Sequence, residues 1–129
     1  MRADGLKTSY SNSGANVALM APGGDGTLAL TSLDNTGVFG PGLDTYGNKI
    51  GTSFSAPLAS GVAALMLSVN PALSPAEIVA RMQQGVRAHT NNPSFAQCVA
   101  GATSICNCTS AACGAGLLDA AGYAAVAND

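Results

Sequence analysis

The sequence predicts a mixed α/β fold, and three observations carry that expectation. A run of small and apolar residues from Ser53 to Val69, with no charge in it, reads as a helix. Short apolar segments bounded by Gly, Pro, Asn and Asp read as strands joined by turns. A capped helix start, Ser74-Pro75-Ala76-Glu77, follows the long helix.

The elements are assigned in chain order. Asp4-Gly5 is a tight turn. Leu6 to Asn12 and Asn16 to Ala21 are short strands, parted by Ser13-Gly14. Pro22-Gly23-Gly24-Asp25-Gly26 is a loop; no G-K-[ST] follows it, so it is not a phosphate cradle. Thr27 to Ser32 and Tyr46 to Ile50 form the arms of a hairpin, with Asp34 to Asp44 as its tip. The helix from Ser53 to Val69 lacks a polar face and is therefore expected to be buried all round. A membrane span is disfavoured: Phe54 to Val69 falls short of the ~20 residues required and contains Pro57 and several serines. Asn70-Pro71 ends this helix. In the next, Ser74 caps, Pro75 takes the first helical position and Glu77 closes a capping box, with an apolar stripe of Ile78, Val79, Met82 and Val86. Gly114-Ala115-Gly116-Leu117-Leu118 is a short buried strand, and Asp119 caps a final helix reaching about Val126.

The composition suits part of a larger interior. Of 129 residues, 9% are charged, against about 25% in average soluble domains. A small body with so few charges makes a poor solvent-facing shell. The net charge of -2 supplies no basic footprint, which argues against a nucleic-acid partner.

Cys98, Cys106, Cys108 and Cys113 cluster near the C-terminus. Their spacing lacks the paired knuckles of zinc sites, and the sole histidine, His89, lies upstream of them. Disulfides in an exported protein are the better reading. Pairing 106 with 108 is sterically awkward, which leaves 98–106 with 108–113, or 98–108 with 106–113. No signal peptide is read at Met1-Arg2-Ala3-Asp4-Gly5, so export is inferred from the cysteines. Asn107-Cys108-Thr109 fits a glycosylation sequon, a short match of little weight.

The chemistry concentrates at Gly51-Thr52-Ser53-Phe54-Ser55-Ala56-Pro57. Glycine allows close approach of a substrate backbone. A serine in the first helical turn sits among unpaired N–H groups at the positive end of the helix dipole, where an oxyanion would be stabilised. The frame Gly51-x-Ser53-x-Ser55 lacks the second glycine of the α/β-hydrolase elbow.

The run Gly51 to Gly61 closely resembles the nucleophile signature of the subtilisin-like serine peptidases, the subtilases. It departs mildly at Leu58-Ala59-Ser60-Gly61, where that family carries V-A-G. Ser9-Tyr10-Ser11-Asn12-Ser13-Gly14, Ala21-Pro22-Gly23, Ser74-Pro75-Ala76-Glu77-Ile78 and Gly114-Ala115-Gly116-Leu117-Leu118-Asp119-Ala120 resemble further family segments, in the family's order.

The resemblance implies that residues 1–129 are the C-terminal part of a subtilase peptidase domain, an α/β three-layer fold with a mostly parallel sheet, incomplete in this chain. It implies a secreted serine endopeptidase acting on proteins or peptides by an acyl-enzyme route. Ser53 would be the nucleophile, and its own N–H would contribute to the oxyanion hole. Gly51 and Thr52 would line the approach to the scissile bond.

In the family the aspartate and histidine precede the serine, as does the oxyanion asparagine. Here His89 lies downstream, and none of Asn12, Asn16, Asn35 or Asn48 holds the matching place. A triad of Ser53, His89 and Asp119 can be written, but His89 is read as a solvent-exposed loop residue. The chain alone is thus expected to be inactive, with the upstream part of the domain as its partner. No cofactor or metal is expected. Calcium is conceivable in the full domain, but Asp25, Asp34 and Asp44 lack the D-x-D-x-D-G spacing and are read as turn-formers. The alternatives are a non-catalytic subtilase remnant, in which Ser53 is only a helix cap, or a disulfide-stapled interaction module.

Overall fold

The structure is a computed structural model that describes residues 1–126; the last three residues of the expected 1–129 unit lie outside the described residues. Its elements are β1 (Leu30–Asn35), β2 (Asp44–Lys49), α1 (Thr52–Val69), α2 (Pro75–Gln84), α3 (Ser110–Cys113) and α4 (Ala120–Val126).

The expected hairpin forms. β1 and β2 pair antiparallel, with Leu33 opposite Tyr46 and Leu30 opposite Lys49. Its first arm starts three residues later than Thr27, because Asp25 closes a turn there. The Asp25 carboxylate accepts from the amides of Thr27 and Leu28, both at 2.8 Å, and from the Thr27 hydroxyl at 2.6 Å. Asn35 closes the tip by accepting from the amides of Gly37 and Gly42.

The other strand segments do not become strands. They pair only through isolated bridges: Lys7 with Cys106 antiparallel, Met20 with Leu117 parallel, and Leu117 also with Arg87 antiparallel. Met1 adds a pairing of parallel pattern around Pro22, donating to the Ala21 carbonyl and accepting from the Gly23 amide. Pro22 fits there because its missing N–H faces away from the ladder. The two-stranded sheet formed among the described residues is therefore antiparallel, and the parallel pairings are single bridges.

Both long helices start and stop close to where the sequence predicts. In α2, Ser74 accepts from the Glu77 amide while Glu77 accepts from the Ser74 amide, a complete capping box with Pro75 in the first turn. Within the expected stripe Met82 is buried and Ile78 partly so. Val79 is exposed, and Val86 falls beyond the helix end. Asp119 caps α4 by accepting from the Ala121 amide at 3.0 Å.

The expectation that α1 is buried all round is not met. Only Val62 and Met66 are buried, packed with Ala21, Leu73, Met82, Leu118 and Tyr123. Leu58, Leu65, Leu67 and Val69 are exposed. The reason is that α2 and α4 pack against one side of α1, and no other described helix packs against it to a comparable extent. The helix is long and apolar enough to cross a membrane by length and composition. Its buried side nevertheless belongs to a protein core.

A second core cluster is built on the cysteines, with Met1, Met20, Ala112 and Leu117. The bridges are Cys98–Cys106 and Cys108–Cys113, one of the two pairings left open by the sequence. Asn107 is buried, and its side-chain amide donates to the carbonyls of Asn92 and Phe95. A glycan could not reach that nitrogen in this fold, so the sequon is structural.

Candidate active site

β2 runs through Ile50 directly into the turn that starts α1. Gly51 sits at the N-cap with φ 142°, a left-handed conformation that favours glycine. It brings no capping side chain, and the first turn holds no acidic residue. The Phe54 amide returns to the Gly51 carbonyl at 3.1 Å. Among the described residues the amides of Thr52 and Ser53 have no partner, so the positive end of α1 is uncompensated where Ser53 stands. Pro57, lacking an N–H, withholds the bond that would otherwise reach the Ser53 carbonyl one turn back.

Ser53 is exposed, and its hydroxyl has no hydrogen bond among the described residues. Thr52 lines a cleft of about 310 Å³ together with Asn12, Ala21, Ser55 and Ala59. Asn12, from the Ser9–Gly14 segment, thus shares a wall with the turn that carries Ser53.

Three contacts that single-residue reasoning missed hold this turn. The Gly51 amide donates to the Gly23 carbonyl at 2.8 Å. The Ser55 hydroxyl donates to the Ala21 carbonyl at 3.2 Å and ties the first turn of α1 to that segment. The Tyr10 hydroxyl donates to the Gly24 carbonyl at 2.6 Å. A Cβ on Gly23 would lie 2.6 Å from the Ser55 hydroxyl and 2.9 Å from the Gly51 carbonyl, which explains the glycine. The signal was in the sequence, since Ser-Tyr-Ser-Asn and Ala-Pro-Gly are the segments that resembled a family.

The written triad does not assemble. The imidazole of His89 contacts the Gly114 carbonyl through Nε2 at 2.9 Å. Asp119 pairs with Arg87 at 3.4 Å and caps α4. No hydrogen bond joins either residue to Ser53. His89 is half-buried rather than a solvent-exposed loop residue, because the Arg87–Leu117 bridge draws its segment onto the Gly114–Leu118 segment.

The aspartates are engaged locally. Hydrogen bonds from the Thr27 hydroxyl and from the Leu28 and Thr27 amides, with the Arg2 charge, hold Asp25 down at about 2. Asp34 is also lowered, chiefly by Lys49, whose ammonium lies 2.6 Å away, and by the Asn35 amide. Asp44 meets Asn35 at 3.5 Å.

An exposed serine thus stands on an uncapped helix start, behind a glycine and against an Ala-Pro-Gly turn. The Subtilase family profile matches residues 2–116, and the chain belongs to that family. It is similar to the extracellular basic protease of Dichelobacter nodosus, 44% identical over 78 residues, covering 57% of this chain and 12% of that protein. An extracellular protease of Xanthomonas campestris pv. campestris is 39% identical over 85 residues, 65% of this chain and 14% of that protein. Among solved structures, a protease from Pseudoalteromonas arctica superposes with a TM-score of 0.76 at 34% identity, over 95% of this chain and 33% of that one. The chain thus spans about a seventh or less of these curated relatives and a third of the solved structure.

Proposed function

We propose that this chain is the nucleophile-bearing C-terminal part of a secreted serine endopeptidase domain. In the complete domain the sheet would be mostly parallel and sandwiched in three layers. The Met1–Pro22 and Met20–Leu117 pairings support that reading. The observation that carries the function is the exposed Ser53 hydroxyl at the uncompensated start of α1.

In this reading the Ser53 Oγ attacks the scissile carbonyl carbon, and its proton passes to a histidine contributed by the upstream part of the domain. The Ser53 amide donates to the developing oxyanion, which is worth most in a site shielded from water. The amine leaves with that proton, and water hydrolyses the acyl-serine. Gly51 and Thr52 flank the substrate backbone. Protein or peptide segments are the substrates; no nucleic acid, membrane, metal or cofactor takes part. The relatives named extracellular proteases support export, and two disulfides fit it. A chain with only these residues lacks a base for Ser53 and is inactive.

A fluorophosphonate probe tests this. With the upstream domain part present, the probe should label the peptide containing Ser53, and peptide hydrolysis and labelling should both vanish in Ser53→Ala. The 129-residue chain alone should not label. Turnover by the chain alone, lost in Ser53→Ala, would overturn the inactivity. An assembled domain that never labels would make Ser53 a helix cap and the chain a non-catalytic remnant.

A further inference from the structure

The β1–β2 hairpin springs from the turn that carries Ser53. Its base is fixed there: the Tyr10 hydroxyl donates to the Gly24 carbonyl ahead of β1, and the Gly51 amide, just after β2, donates to the Gly23 carbonyl. The two strands pair with each other, and neither packs against a helix to a comparable extent among the described residues.

This arm is apolar on its outside. Leu33, Val38, Phe39, Leu43 and Tyr46 are each at least 73% exposed. Leu33 and Tyr46 stand directly opposite each other across the ladder and share one face. The alternate residues point the other way, where Lys49 meets Asp34 at 2.6 Å. Scattered exposed apolar side chains are ordinary, whereas a set of them on one arm marks a contact surface.

The tip holds its own shape. The Asn35 side chain accepts from the amides of Gly37 and Gly42 and donates to the Gly42 carbonyl at 3.1 Å. The Thr36 amide donates to the Leu43 carbonyl at 3.0 Å, and the Leu43 amide donates to the Thr36 hydroxyl at 2.9 Å. With these polar groups satisfied inside the loop, a partner adds only apolar contact, and the loop does not have to order on binding. Such a surface suits a partner that docks and leaves.

We propose that the outward face of this hairpin is a docking surface for an apolar segment of the protein substrate whose bond lies at Ser53. The inference rests on the peptidase reading of Ser53. Continuity with that site selects the substrate as the occupant. At about 3.4 Å per residue of strand, Tyr46 stands roughly 17 Å from Gly51, and Leu43 roughly 27 Å. A long chain held at Ser53 therefore carries its own neighbouring segments past the hairpin at high effective concentration, so that weak apolar contact retains it. A tetrapeptide, at most about 14 Å long when extended, does not reach. The hairpin thus favours unfolded proteins over short peptides.

The test compares two substrates of the complete domain: casein, as an unfolded protein, and a chromogenic tetrapeptide. Phe39→Ser should raise KM for casein roughly tenfold at unchanged kcat, the size of one anchor lost from an interface, and leave both constants for the tetrapeptide within about twofold. Leu33→Ser with Tyr46→Ser should do the same. Ser32→Ala, on the opposite face, should change neither substrate. Equal effects on both substrates, or no effect on casein, would overturn the docking surface while leaving hydrolysis at Ser53 intact. A parent domain that cleaves neither substrate would overturn the peptidase reading and the docking surface with it. If Phe39→Ser lowers the melting temperature of the complete domain but not of the 129-residue chain, the face is a seat for the upstream part of the domain. If it turns a dimeric domain monomeric, the face is a self-contact. Either result would overturn the proposal.

Discussion

The amide of Gly51 donates to the carbonyl of Gly23 at 2.8 Å, and this bond ties the turn carrying Ser53 to the Ala21-Pro22-Gly23 segment. The approach is close enough that Gly23→Ala meets the Gly51 carbonyl, the Ser55 hydroxyl and the Tyr10 hydroxyl, all under 3.0 Å from the new carbon. Side chains can rotate away, but the Gly51 backbone must shift. Overpacking of this kind costs about 1–3 kcal/mol. Urea unfolding of Gly23→Ala should show that loss. In the assembled domain, probe labelling at Ser53 should slow by more than the stability change explains. A variant as stable and as reactive as the parent would show that the contact does not position the turn.

Much of this arrangement was legible in the residues. The ends of α1 and α2 were readable because capping and proline placement are local effects. Ser74, Pro75 and Glu77 carry their own instructions, and Asn70-Pro71 stops α1. The hairpin was readable for the same reason. The burial of α1 was not, because it depends on what packs beside it, and only Val62 and Met66 find cover among the described residues. The strands around Lys7 and Met20 failed for a related reason: a strand is defined by its partner, and each met a single residue. At the candidate site, Ser53, Gly51 and Thr52 are singled out by motif alone. The roles of Gly23, Ser55 and Tyr10 needed three dimensions, since their contacts bridge segments far apart in sequence.

The capping box of α2 gives an energetic test. Ser74 satisfies the Glu77 amide, and Glu77 reaches back at 2.8 Å to the Ser74 amide. Ser74→Ala removes the first bond and strands that amide. A cap of this type is worth about 1 kcal/mol. Chemical denaturation should show that loss with an unchanged denaturant slope, whereas a null result would mean that packing of Met82 and Ile78 holds the helix start without its cap.

Acid should loosen the loop before β1. Asp25 is held down at about 2, from an ordinary value of 3.8, first by the Thr27 hydroxyl and then by the Leu28 and Thr27 amides and Arg2. A lowered carboxylate contributes stability that is fully present above its unfolded value and is lost as pH falls through its folded value. The window is therefore from about 4 down to about 2. Melting temperature across that range should fall less steeply in Asp25→Asn than in the parent, with the variant less stable at neutral pH. Parallel curves would remove Asp25 from the acid response.

The two disulfides close short loops, with separations of 8 and 5 residues. Chain-entropy reasoning gives about 2 kcal/mol for each. Cys98→Ser with Cys106→Ser, and separately Cys108→Ser with Cys113→Ser, should each lower stability by that order. The second pair should cost at least as much despite its shorter loop, because Cys113 is fully buried against Met20 and Leu117. Differential scanning calorimetry on the two double variants ranks them, and a costlier Cys98–Cys106 deletion would show that loop length outweighs burial here.

The uncovered side of α1 should make the chain associate with itself. Leu65 is 60% exposed and Val69 is 48% exposed, and they stand one turn apart on one face. Contiguous apolar surface of this kind marks a contact surface, and the upstream part of the domain is its proposed cover. Sedimentation velocity on the isolated chain should show concentration-dependent association. Leu65→Gln with Val69→Gln should reduce it without lowering the melting temperature, because neither side chain belongs to the buried cluster of Val62 and Met66. The hairpin also exposes Phe39, so Phe39→Ser serves as the control and should leave most of the association in place. A monomeric parent chain would count against an unsatisfied α1. A monomer produced by Phe39→Ser alone would move the contact surface to the hairpin tip.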